Sequence, residues 1–145
     1  FQRLLRLVRS RAPLPFAGVK NKRSMVALEN LVDFILRCVV HPAAANELFV
    51  IADDECLSTE EVVRHIARGM DLSSARLFRY PDRLLRLVAR AAGKEAIYSQ
   101  LYGSLVVDAT KARQLLDWKP VLYAPAALEK AGREYQQLCK GALVK

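Results

Sequence analysis

Glycine is scarce in this chain, with six in 145 residues. None falls into G-x-G-x-x-G or G-x-x-x-x-G-K-[ST], which excludes phosphate cradles of those two types. A G-x-S-x-G nucleophile elbow is also missing, and with it that arrangement of acyl-transfer chemistry. The three cysteines, Cys38, Cys56 and Cys139, are odd in number and widely spaced; they give no disulfide framework and fit a reducing cytoplasm. No apolar run approaches the ~20 residues of a membrane span. Near the start, Arg3, Arg6 and Arg9 interrupt the apolar positions, so there is no signal-peptide core. The chain begins at Phe1 rather than Met, as expected of a fragment of a longer protein. Metal-ligating residues are few. Cys38 and His41 lack a second ligand pair, "DDE" at 53–55 reads as a solvated acidic turn, and His65 reads as a surface histidine.

What is present in excess is positive charge. The formal net charge is +8 and the pI is near 9.7, which calls for anionic partners such as phosphorylated metabolites, nucleic acid or an acidic surface. With 52% hydrophobic residues the composition is that of a globular protein, and the length is that of one domain, residues 1–145. Part of the charge sits in a hexamer, "RLLRLV", that occurs at 3–8 and again at 83–88. The flanks differ, "RSRAPLPF" against "ARAAGKEA", whereas a true repeat would extend further. The hexamers are therefore two helices that each turn Leu inward and Arg outward, their arginines forming solvated faces.

Periodicity predicts interleaved short strands and helices. The first helix carries Leu4, Leu5 and Val8 and ends before Pro13 and Pro15, and "PLPFAGV" is extended and turns at Gly18. "NKRS" is a polar turn leading to a short strand, "SMVAL". A helix follows from about Asn30 as cap, with Leu31, Phe34, Ile35, Cys38 and Val39 as its buried stripe. "ELFVIAD" has the pattern of a buried strand. Ser58 and Glu61 form an S-x-x-E capping box, with Leu57 and Val62 as its hydrophobic staple. "ARLFRYP" and "SLVVD" are further short strands, and a helix over 82–92 stops at Gly93. Asp108 caps "ATKARQLL", and a last helix with Pro125 in its first turn faces Leu128, Ala131, Tyr135 and Leu138 inward. The expected fold is a small α/β or α+β domain.

Within this pattern "KNKRS" places Lys20, Lys22 and Arg23 in a loop directly after an extended "LPF". A planar guanidinium there is suited to gripping a diphosphate through two parallel hydrogen bonds. The order of blocks "NKRSMVALENLVD" and "VDATKARQLLDWKP" resembles the C-terminal part of extended short-chain dehydrogenases/reductases. The likeness is to the NAD-dependent epimerase/dehydratase group that includes UDP-glucose 4-epimerases, and it covers nearly the whole chain. It implies the smaller, substrate-binding domain of such an enzyme, with NAD held on a missing Rossmann domain and no cofactor here. No tyrosine of this chain has a lysine four residues later, so the Tyr-x-x-x-Lys pair of the family is absent and no catalytic residue is expected.

The same resemblance implies a UDP-sugar substrate. It places Leu14 and Phe16 beside the base and Arg23 on the diphosphate. Gln100 stands where the family usually has a second arginine. A fragment cut from its Rossmann partner is expected to expose the Leu4/Leu5/Val8 stripe and to self-associate through it. No membrane partner is expected. Two other readings rest on charge alone: a basic nucleic-acid-binding module, separable by its steep salt dependence, and a non-catalytic interaction domain.

Overall fold

The thirteen apolar and polar residues of "LENLVDFILRCVV" begin a helix where Ala27 leaves the extended region, three residues before the expected cap. The computed structural model describes residues 1–73 and 75–141, residue 82 by its backbone alone. Among these described residues run seven helices, α1 (Gln2–Arg9), α2 (Leu28–Val40), α3 (Thr59–Gly69), α4 (Asp82–Ala91), α5 (Glu95–Tyr102), α6 (Thr110–Leu116) and α7 (Ala124–Gly141), with a 3-10 turn at Pro42–Ala44.

The core is built on α3 packed along α7, with α1 across both. α3 starts at the expected capping box: Ser58 Oγ accepts from Glu61 N, and Glu61 Oε2 accepts from Ser58 N at 2.7 Å. Its inner face buries Val62, Val63, Ile66 and Met70 against Leu5, Val8, Leu14, Phe16 and Leu128. Each such side chain contributes ~1.5–3 kcal/mol of hydrophobic stabilisation. A second cluster joins Phe34 of α2, Ala112 and Leu116 of α6, and Trp118, with Phe34 and Trp118 edge to face at 5.2 Å.

The expected strands are not formed. Among the described residues, β pairing is reduced to three isolated bridges, Leu14 with Leu77, Arg23 with Leu57, and Arg23 with Leu105, so the domain is mostly helical with almost no strand. Residues 47–53 form no strand. They keep the alternation of a strand: Phe49 and Ile51 pack on the second cluster while Leu48 and Val50 face outward.

Several inward assignments also fail. Asn30 does not cap α2. It is fully buried inside the first turn, where its Nδ2 donates to Asp53 Oδ1 and Leu122 O, and its Oδ1 accepts from Val121 N and Leu122 N. That fixes the rotation of α2, which leaves Leu28, Val32, Ile35, Leu36 and Val39 exposed. Leu138 of α7 is exposed as well, and none of residues 83–91 of α4 is buried. Conversely, Leu5 and Val8 of α1 are buried. The α1 stripe is therefore core, unavailable for the self-association expected of it.

Candidate functional site

Two extended straps run side by side at one end of the α3–α7 core, one over 21–24 and the other over 103–107. Lys22 N donates to Ser104 Oγ at 3.0 Å, Leu105 N to Lys22 O at 2.8 Å, Ser24 N to Leu105 O at 2.7 Å, and Val107 N to Ser24 Oγ at 3.0 Å. Arg23 lies between α3 and the second strap. Its backbone pairs with Leu57 in both directions, and its Nη1 donates to Gly103 O at 3.0 Å. Gly103 follows α5 directly and lies three residues beyond Gln100.

The anchor of this arrangement is Asn21, expected as part of a polar turn and found buried. Its Nδ2 donates to Thr59 Oγ1, Leu101 O and Gly103 O, and its Oδ1 accepts from Thr59 N at 2.9 Å. One side chain thus satisfies an open N–H at the start of α3 and ties it to the end of α5. Nothing in "NKRS" distinguishes this asparagine from a turn residue. The reciprocal signal is Thr59, placed to meet it 38 residues later.

Above the straps lies a cleft of about 550 Å3. Its floor is the turn 15–19 and its walls come from Lys20, Arg79, Tyr80, Tyr98, Ser99, Tyr102 and Ser104. Tyr98 and Tyr102 stack at 4.8 Å, and Tyr102 Oη donates to Pro15 O. Gly18 has φ +78°, and a Cβ there would fall 2.7 Å from Arg79 Nε. Glycine therefore lets the turn reach its left-handed conformation and lets the guanidinium lie against it. Beneath the turn, Glu60 Oε2 accepts from Gly18 N, and Glu60 Oε1 accepts from Arg64. The Arg64 hydrogen bonds hold the Glu60 carboxyl below its usual range, so this support stays ionised near neutral pH.

The four residues singled out for substrate contact have distinct placements. Leu14 and Phe16 are buried in the core, and the residues alternating with them, Pro15 and Ala17, line the cleft. Arg23 is half-buried with its guanidinium at Gly103, beside the cleft-lining Ser104. Gln100 is exposed on α5, next to Ser99 of the cleft wall. Arg79 and the Tyr98/Tyr102 pair went unnoticed in the sequence. Their signals were an arginine after "ARLF" and two tyrosines at i, i+4 spacing, which share one helix face.

Each of the acidic residues 53–55 has partners of its own. Asp53 is buried, accepting from Ala27 N and Asn30 Nδ2, and burial raises its pKa. Asp54 pairs with Arg113, and Glu55 accepts from Ala124 N. Asp53 is thus no part of a solvated turn. Nor is His65 a surface residue: it meets Glu129 of α7 at 3.0 Å. Among the described residues no cluster of three or more His, Cys, Asp or Glu is placed to hold a metal ion.

No family model matches the chain. It is 38% identical over 138 residues to a UDP-glucose 4-epimerase of Vibrio cholerae, covering 94% of this chain and 40% of that protein. It is also 27% identical over 128 residues to the uncharacterized protein y4nL of Sinorhizobium fredii (strain NBRC 101917 / NGR234), covering 77% of this chain and 36% of that one. The chain thus spans well under half the length of these curated relatives. Along nearly its whole length it is similar to part of a UDP-glucose 4-epimerase, the group that its "NKRSMVALENLVD" and "VDATKARQLLDWKP" blocks resemble.

Proposed function

We propose that this chain is the nucleotide-sugar-binding part of an NAD-dependent sugar epimerase or dehydratase, and that the cleft over the straps receives the nucleotide diphosphate. The observation that carries this reading is the cleft's chemistry. Two cations, Lys20 and Arg79, flank a turn beside a stacked tyrosine pair, with Arg23 held alongside by Gly103. Cationic donors suit the diphosphate, and an aromatic wall suits a planar base. With the Leu14 and Phe16 side chains in the core, the backbone of 15–17 supplies the base-facing groups. Lys20, Arg79 and Arg23 bind and orient the anion; none is positioned here as an acid, base or nucleophile.

The glycine-rich loop and the Tyr-x-x-x-Lys pair are absent from these 145 residues. We therefore assign NAD binding and hydride transfer to a separate Rossmann domain, and substrate holding to this chain. Calorimetric titration with UDP, UDP-glucose, ADP and inorganic diphosphate tests the reading. Saturable binding of the uridine ligands, tighter than that of ADP, is expected. Equal affinity for UDP and inorganic diphosphate would remove the base subsite, and no binding of any of the four would remove the proposal.

A further inference from the structure

Two helices leave apolar stripes uncovered, and they differ in charge. On α2 the exposed residues Leu28, Val32, Ile35, Leu36 and Val39 share their helix with Glu29, Asp33 and a single Arg37. On α4, Leu84, Leu87 and Val88 are exposed together with Ala91. Along the neighbouring face of the same ten residues run Arg83, Arg86 and Arg90, all exposed. At 100° per residue the apolar group and the arginines occupy adjacent sectors, and the half-buried Leu85 and Ala89 face the body of the domain. Exposed Phe78 and Tyr80 precede the helix, edge to face at 6.1 Å, and exposed Lys94 follows it.

We propose, against the sequence expectation of no membrane partner, that the α4 face docks the protein peripherally on an anionic lipid bilayer. A short helix with an apolar side and a row of arginines beside it lies in the interface plane. Its Leu and Val side chains enter the headgroup–acyl boundary, and the guanidinium groups meet lipid phosphates on stems that remain in the apolar layer. Charge complementarity favours this occupant over a second copy of the chain, since two α4 faces would bring six arginines together. The docking is interfacial: no helix among the described residues is long and apolar enough to cross a membrane. α5 packs on α4 and carries Tyr98, Ser99 and Tyr102 of the cleft wall, so docking brings the cleft near the lipid surface. The proposal stands independently of what the cleft binds.

Co-sedimentation of the whole chain with vesicles tests it. Binding is expected to phosphatidylcholine vesicles containing phosphatidylglycerol, and at least about tenfold weaker binding to pure phosphatidylcholine, because each basic side chain near an anionic surface contributes roughly fivefold. Arg86→Glu with Arg90→Glu should lose the anionic preference. The neutral pair Leu87→Gln with Val88→Gln should weaken binding about tenfold or more with the charge intact. Val39→Gln on α2 should bind as wild type. All these positions are exposed, and circular dichroism checks that each variant keeps its helix content. The proposal is overturned by no binding to either vesicle, by equal binding to both, or by loss of binding in Val39→Gln alone. It is equally overturned if the Leu87/Val88 variant abolishes a dimer in sedimentation velocity but still binds vesicles as wild type.

Discussion

Gly69 and Gly132 face each other where α3 meets α7, each against the other helix's backbone. A Cβ on Gly69 would fall 1.9 Å from Glu129 O, and one on Gly132 would fall 2.5 Å from Ile66 O. Two flexible-backbone residues are tolerated inside helices here because nothing larger fits the approach. Gly132→Ala should therefore destabilise by about 2–3 kcal/mol or more through overpacking, although alanine is the better helix former by roughly 1 kcal/mol. Gly141→Ala, where nothing lies within 4 Å, should be neutral or slightly stabilising. Urea midpoints that move alike for the two variants would contradict the close crossing.

That crossing shows what local pattern reveals and what it hides. The capping box at Ser58, the start of α4 and the stop at Gly93 follow from short-range chemistry and are legible in the sequence, whereas α5 is not among the expected helices and α2 starts earlier than expected. Which face of a helix is covered depends on neighbours, and the two hexamers make the point. Val8 is 3% exposed and its counterpart Val88 is 57% exposed, because α1 lies on α3 and α7 whereas α4 packs chiefly on α5. Strands failed for a related reason: the pattern of 47–53 records a chain with two faces, while a strand also needs a paired neighbour. Around the cleft, the turn at Gly18 was legible. Asn21, Arg79 and the tyrosine pair were not, since each acquires its role through contacts distant in sequence.

The start of α3 should control stability in a pH-dependent way. Ser58→Ala removes the acceptor for Glu61 N and should cost about 1 kcal/mol; Arg86→Ala, on an exposed face, should stay within about 0.5 kcal/mol. Hydrogen bonds from Ser58 N and Oγ hold the Glu61 carboxyl below its ordinary 4.5. A carboxylate with a lowered folded pKa stabilises above the unfolded value, and that contribution disappears as pH falls through the folded one. Glu61→Gln should accordingly flatten the loss of stability in the acid range below 4.5. An unchanged slope in urea titrations would show that Glu61 is not the group responsible.

Asp53 should act with the opposite sign. Burial raises its pKa above 3.8, against the hydrogen bonds from Asn30 and Ala27 that lower it. Its contribution is fully present below the unfolded value and is lost as pH rises through the folded one, so Asp53→Asn should remove a decline in stability on that rise. Asn30→Ala has a larger expected effect. It strands the backbone N–H groups of Val121 and Leu122 and the Leu122 carbonyl, at up to about 1–3 kcal/mol for each group that water does not reach. Thermal unfolding of Asn30→Ala indistinguishable from wild type would mean that water reaches these groups.

The test that bears most directly on function is the pair Arg23 and Gln100. A charge-assisted hydrogen bond contributes about 1.5–3 kcal/mol, so Arg23→Ala should weaken UDP-sugar binding roughly 10–150-fold. Arg23 also donates to Gly103 O at 3.0 Å, so the alanine variant loosens the junction between the straps and α5 and can lower affinity without any lost phosphate contact. Arg23→Lys separates these effects. It keeps the charge without the planar fork and should recover only part of the affinity if the fork holds the diphosphate. Gln100→Arg adds a cation on exposed α5, beside Ser99 of the cleft wall, and should tighten binding with no change in melting temperature. Titrating UDP-glucose and uridine into each variant decides between the roles. A diphosphate-binding arginine alters affinity for the nucleotide sugar and leaves that for uridine unchanged. A purely structural Arg23 would lower both in proportion to the loss of thermal stability, and Gln100→Arg would then have no effect on either ligand.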